Sequence, residues 1–165
     1  MHIALVNPEI PQNTGNIART CAATGARLHL IHPMGFSVDE KRVRRAGLDY
    51  WPLLDLQEHD SLEDFFTGIP PERCTFLTTK ASKCYTDVPY DGHSVLVFGC
   101  ETRGLPEALL SSHYERCVRI PMLPRLRSLN LANAVAVVLY EALRQTGFAG
   151  METRGALTGL QFPAK

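Results

Sequence analysis

Asn13 and Arg19 lie on one short segment, Pro11-Gln12-Asn13-Thr14-Gly15-Asn16-Ile17-Ala18-Arg19, where an amide and a permanent cation open a stretch of helical spacing. Glu101 and Arg103 lie in Gly99-Cys100-Glu101-Thr102-Arg103-Gly104-Leu105-Pro106, a turn whose bracketing glycines let a ligand approach the backbone. Arg125, Arg127, Ser128 and Asn130 lie between Ile120-Pro121 and a long apolar run. Ser128 or Asn130 can cap that run as a helix, because a short polar side chain accepts from the free N–H groups at a helix start. Guanidinium groups over such a start favour an anionic, nucleotide-like ligand. Taken singly, each cluster also fits a structural role: a surface ion pair for Arg19, a plain strand–helix turn at Gly99, a capped helix at Asn130. No Ser-His-Asp set, P-loop or paired carboxylates compete for the chemistry, and the first loop lacks the GxGxxG spacing of a dinucleotide site.

These loops need a frame that brings them together. His2 to Asn7, Leu28 to Ile31, Trp51 to Leu56, Thr75 to Thr79, Ser94 to Gly99 and Cys117 to Ile120 read as strands. Asn13 to Thr24, Asp39 to Ala46, Ser61 to Thr67, a segment opening at Pro106 and Asn130 to Thr146 read as helices. Apolar strands alternating with helices predict an α/β fold, a mainly parallel sheet covered by helices on both faces. Ligands of such sheets sit beyond the carboxyl ends of the strands. Leu77-Thr78-Thr79, Phe98-Gly99-Cys100-Glu101 and Ile120-Pro121 all fall at that edge. The last helix is apolar nearly all round, since only Asn133 is polar between Leu131 and Leu139. Such a helix must be covered on several sides. A sheet on one side and a second copy of the chain on the other would do so, with Val135, Val138 and Leu139 as the expected homodimer surface.

The chain has 165 residues, which predicts one domain over residues 1–150 followed by a poorly ordered tail over 151–165. A formal net charge of zero excludes attraction of nucleic acid by the overall field, so an RNA site has to be a local patch. Lys41, Arg42, Arg44 and Arg45 make such a cluster, which reads either as a phosphate-binding patch or as a solvated face. Five scattered cysteines without a CxxC pair, and no signal peptide, point to a reducing cytoplasm rather than to a disulfide framework or structural zinc. The six histidines lack metal-ligand spacing and read as ordinary surface or core residues. No apolar run approaches the roughly 20 residues that span a bilayer, so no membrane role is expected.

In order along the chain, Pro8-Glu9-Ile10-Pro11-Gln12-Asn13-Thr14-Gly15-Asn16-Ile17 with Arg19, Pro33-Met34-Gly35-Phe36 with Asp39 to Tyr50, Leu77-Thr78-Thr79-Lys80, Phe98 to Pro106, and Ile120-Pro121-Met122 through Ser128, Asn130 and Asn133 to Tyr140-Glu141-Ala142 form a set. This set closely resembles the SPOUT superfamily of knotted RNA methyltransferases, and within it the small single-domain group that methylates the 2′-hydroxyl of the tRNA wobble nucleotide, a cytidine or uridine. The resemblance covers about residues 2–150.

The resemblance implies a deep C-terminal trefoil knot, an exception to the rule against threaded chains. It implies S-adenosyl-L-methionine as methyl donor, S-adenosyl-L-homocysteine as product, and no metal. Leu77, Gly99, Ile120 and Ser128 match donor-contacting positions. Arg19 matches the family's motif arginine, expected to help activate the ribose hydroxyl with Asn13 placing it. Glu101, Ser128 and Asn130 match the other motif polar positions. Tyr140 matches a position associated with tRNA binding, and Lys41, Arg42 and Arg45 become candidates for the phosphates of the anticodon stem-loop. The family's sites form at a homodimer interface. Two departures stand out: the family usually has Gly-Pro-Glu where this chain has Gly99-Cys100-Glu101, and a polar residue where Arg125-Leu126-Arg127 stands. A different tRNA or rRNA position, or a non-catalytic knotted RNA-binding module, are the alternatives. The intact Asn13, Arg19, Glu101, Ser128 and Asn130 favour an enzyme.

Overall fold

Strand β1 (His2–Val6) shows why the sheet is buried on both faces: Ile3, Ala4, Leu5 and Val6 are all inaccessible to solvent, so the strand has no polar side. The computed structural model describes residues 1–37 and 50–157. After β1 come α1 (Pro11–Thr24), β2 (Arg27–Ile31), β3 (Leu56–His59) and α2 (Leu62–Gly68). They are followed by β4 (Cys74–Leu77), β5 (Lys83–Cys84), β6 (Val95–Phe98), α3 (Glu107–Ser112), β7 (Cys117–Arg119) and α4 (Leu131–Gln145). The strands form one sheet in the order β3-β2-β1-β6-β4-β7-β5, and every pairing is parallel.

Alternate residues of each strand feed two cores. Ile3, Leu5, Leu28, Leu30, Leu96 and Phe98 pack under α1 and α4, which contribute Ile17, Cys21, Val135, Val138 and Leu139. Ala4, Val6, Ile31, Phe76, Val95 and Val97 pack on the other face against Phe65 of α2 and Leu110 of α3. The expected parallel sheet with helices on both faces is therefore present.

Three elements differ from the sequence reading. Trp51–Leu53 is a short 3₁₀ turn, and the third strand begins only at Leu56. Pro52 cannot donate to a ladder, while the polar Leu56-Gln57-Glu58-His59 suits an edge strand with one face in water. The two-residue strand β5 is too short to leave a periodic signal. Val135, Val138 and Leu139, expected at a homodimer surface, are fully buried inside their own subunit. The outward face of α4 instead shows Val137 and Tyr140, at 39% and 46% exposure. The expected Asp39–Ala46 helix and the last residues of the tail, 158–165, lie outside the described residues, and residues 152–157 form no helix or strand.

Three histidines are not the ordinary residues that their spacing suggested. His2 Nδ1 lies 2.9 Å from His29 Nε2, and His29 Nδ1 lies 2.9 Å from His59 Nε2. His59 Nδ1 faces Asp64 Oδ2 at 3.4 Å. The stacked rings cross β1, β2 and β3, and Phe65 meets the rings of His29 and His59 edge-on. An ionised Asp64 only accepts, so it sets the direction: each imidazole donates from Nδ1 and accepts at Nε2. Burial, first of all, and the neighbouring His2 and His59 rings pull the pKa of His29 down to about 3, which keeps its own ring neutral.

Candidate active site

Strands β1, β6, β4 and β7 are neighbours and parallel, so their carboxyl ends deliver the loops after Val6, Phe98, Leu77 and Arg119 to one edge. A cavity of about 460 Å³ opens there. Its wall includes Leu77 to Lys80, Phe98 to Leu105, Ile120, Met122 and Arg127 to Leu131, with Ile10, Asn13, Leu110 and Ala134. That volume lies in the range of small-molecule sites. Leucines and Ala134 give it an apolar floor, and Lys80, Arg103 and Arg127 bring cations to its rim. Lys80 pairs with Glu107 at the start of α3.

Gly99 is required where it stands. A β-carbon there would come within 2.0 Å of the Gly104 carbonyl carbon and 2.2 Å of the Leu105 nitrogen. The 100–104 turn folds back this tightly because the Gly104 N–H donates to the Cys100 carbonyl at 2.9 Å, with Gly104 itself at φ +72°. Cys100, the departure from the family pattern, is buried in the same turn with Sγ 3.7 Å from the Gly104 carbonyl.

One chain of hydrogen bonds joins the loops. Helix α1 begins at Ile10 without a side-chain cap of its own. The Glu101 carboxylate compensates from across the sheet edge, accepting from the Glu9 N–H at 2.9 Å and the Ile10 N–H at 3.3 Å. It thereby places a negative charge at the positive end of α1. Asn13 Nδ2 donates to the same carboxylate at 2.9 Å. Asn13 Oδ1 accepts from Asn130 Nδ2 at 2.9 Å. Asn130 Oδ1 in turn accepts from the Ala132 and Asn133 N–H groups at the head of α4. Every amide in the chain has a fixed orientation, running from α4 to Glu101. The Glu101 carboxylate is therefore spent on holding α1 and Asn13.

The cavity thus brings together Asn13, Leu77, Gly99, Glu101, Ile120, Ser128 and Asn130. Of the two candidate caps of α4, Asn130 is the one used, and Ser128 is exposed at the cavity mouth. Arg19 is not at the cavity. Six residues after Asn13, it emerges on a different side of α1, exposed, with its guanidinium carbon 4.7 Å above the Tyr50 ring. Tyr140 likewise lies on the exposed side of α4. Lys41, Arg42 and Arg45 lie outside the described residues. Glu9 and Thr102 went unnoticed as partners in the sequence reading, and the structure joins them across the sheet edge. Only the pairing of β1 with β6, invisible in one sequence, sets two residues 93 positions apart side by side.

This sheet and its loops are shared with known proteins. Residues 1–140 match the family described as the SpoU rRNA Methylase family, and the chain belongs to it. It is 50% identical over 155 residues to the tRNA (cytidine(34)-2'-O)-methyltransferase of Escherichia coli strain K12, covering 93% of this chain and 99% of that protein. A protein of the same name from Saccharophagus degradans is 51% identical over 150 residues, covering 90% of this chain and 97% of that one. A solved structure reported as "Structural insights into the 2-OH methylation of C/U34 on tRNA" superposes with a TM-score of 0.84 at 45% identity, covering 88% of this chain and 95% of that one. The SpoU methyltransferase AviRb of Streptomyces viridochromogenes, solved with AdoMet bound, superposes with a TM-score of 0.77 at 26% identity, covering 88% of this chain and 60% of that one.

Proposed function

We propose that this protein transfers a methyl group from S-adenosyl-L-methionine to the ribose 2′-hydroxyl of the wobble nucleotide of tRNA, a cytidine or a uridine. The observation that carries the reading is the cavity itself. Its volume, its apolar floor and its wall of strand-end backbone fit an adenosine with a short charged tail. Leu77, Gly99, Ile120 and Ser128 would hold the donor there. When bound, the donor supplies an electrophilic methyl on a sulfonium.

The protein's part is placement and proton management. A ribose hydroxyl is a poor nucleophile near neutral pH, so holding it in line with the methyl supplies much of the rate. The chain Glu101–Asn13–Asn130 fixes three of the cavity's loops relative to one another, so its members act by keeping the geometry. Arg19 remains charged and is a poor base. It acts by lowering the pKa of the hydroxyl or by holding a neighbouring phosphate. Its exposed position on α1 suits a homodimer in which it serves the cavity of a second copy, with Val137 and Tyr140 on the exposed side of α4 as the apolar part of the contact. Tyr140 and the Lys41, Arg42 and Arg45 cluster would take up tRNA, and the C-terminal deep trefoil knot of the family would close the cavity. Location in the cytoplasm, where its tRNA substrate is found, completes the reading.

Arg19→Ala tests the division of labour. Donor binding by calorimetry is expected to stay within a few-fold of the unsubstituted protein, while transfer of labelled methyl to tRNA falls at least about 100-fold, the usual scale for removing a group that assists proton transfer. Normal turnover in this variant would remove Arg19 from the mechanism.

A further inference from the structure

We infer that Glu9 and Thr102 are positioning residues of the donor cavity, forming a latch that fixes the turn over residues 100–104; the inference rests on the donor reading above. The latch consists of exchanged carboxylates. The loop after β1 gives the Glu9 and Ile10 N–H groups to Glu101. The loop after β6 returns the Thr102 N–H and hydroxyl to Glu9, at 3.2 Å to Oε2 and 2.9 Å to Oε1. Each acidic residue is therefore held by donors from the other loop. With the donors in place, each carboxylate receives charge-assisted hydrogen bonds, which are stronger and shorter than neutral ones.

Thr102 and its neighbours Arg103 and Gly104 line the cavity, whereas Glu9 does not. The turn belongs to no helix or strand ladder, and inside it the Cys100–Gly104 bridge is the backbone tie. Beyond the β1–β6 pairing that ends at Phe98, its side-chain ties to the loop after β1 are those of Glu101 and Glu9. The Glu101 half also anchors α1 and the Asn13–Asn130 chain, whereas among the described residues the Glu9 carboxylate hydrogen-bonds Thr102. Glu9 thus acts on the cavity wall through one neighbour. Its effect should fall on donor affinity rather than on the step at the ribose.

The test is steady-state methyl transfer with tRNA saturating and S-adenosyl-L-methionine varied, with calorimetric donor binding alongside, for the full-length protein and for Glu9→Ala, Thr102→Val and Thr102→Ser. Glu9→Ala is expected to raise the donor KM and Kd about tenfold with kcat within about twofold. Thr102→Val keeps the N–H donor but loses the hydroxyl and should rise about threefold; Thr102→Ser restores both donors and should return to the unsubstituted values. This rescue separates the latch from a general loss of folding, and Thr102→Val carries the test should Glu9→Ala fail to fold. Unchanged donor KM in both Glu9→Ala and Thr102→Val would overturn the inference, as would a fall in kcat with donor affinity intact. Absence of donor binding by the unsubstituted protein would overturn the donor reading itself.

Discussion

Asn130 holds two jobs in one side chain: its oxygen caps α4 and its nitrogen orients Asn13. The two can be separated. Asn130→Asp keeps a cap that favours a helix start but turns a donor into an acceptor facing the Asn13 oxygen. Thermal unfolding is expected to show a loss of no more than about 1 kcal/mol, while methyl transfer falls at least tenfold because Asn13 loses its fixed orientation. Equal losses in stability and activity relative to Asn130→Ala would mean that capping is the whole of its role. At this scale the sequence was informative about which residues matter and poor on what they do. Asn13, Glu101 and Asn130 stood out as polar groups at loop ends. Their partners did not, because a hydrogen bond between residues 88 or 117 positions apart leaves no local signature. Arg19 was legible as a cation near the first loop, yet the turn of α1 carries it away from Asn13.

The 99–104 turn was legible as an element, because two glycines and a following proline bracket it. The reason for the first glycine was not: it is the backbone of Gly104 and Leu105 pressing against the site of a β-carbon. Gly99→Ala must displace that backbone, so a loss of about 3 kcal/mol is expected in chemical unfolding, together with donor binding. A variant with full stability would mean that the turn has room that the structure denies. The histidine ladder is a second element that no spacing rule revealed, because it forms diagonally across three parallel strands. It makes a pH prediction with a definite sign. In the folded protein His29 resists protonation down to about pH 3, whereas an unfolded histidine takes up its proton near 6.5. Its contribution is therefore complete above pH 6.5 and is lost as pH falls from there toward 3. The stability measured by urea unfolding should drop by about 2 kcal/mol between pH 7 and pH 5 from this residue, and His29→Leu should flatten that slope. An unchanged slope would show that His29 takes up its proton alike in the folded and unfolded chain.

For the whole molecule, the all-round apolar helix after Asn130 needs cover, and the sheet supplies it on one side as expected; Val135, Val138 and Leu139 belong to that covered side and not to the dimer surface expected of them. The sheet and α1 enclose Val135, Val138 and Leu139, so these three face the core of their own subunit. The periodicity of a single helix cannot separate intrasubunit from intersubunit burial when nearly every position is apolar. The proposed dimer therefore rests on the exposed side of α4. Val137→Asp is expected to give monomers in sedimentation velocity with the fold intact and methyl transfer lost, since Arg19 would have no second cavity to serve. A dimer that survives this change would place the contact elsewhere.

The central claim is that this cavity methylates a wobble ribose. The direct measurement is transfer of labelled methyl from S-adenosyl-L-methionine to total tRNA taken from cells lacking this protein, with the modified nucleotide mapped by mass spectrometry. The account predicts a single 2′-O-methyl group on a cytidine or uridine at the wobble position. A methyl group mapped to any other position, or donor binding without a tRNA product, would contradict it.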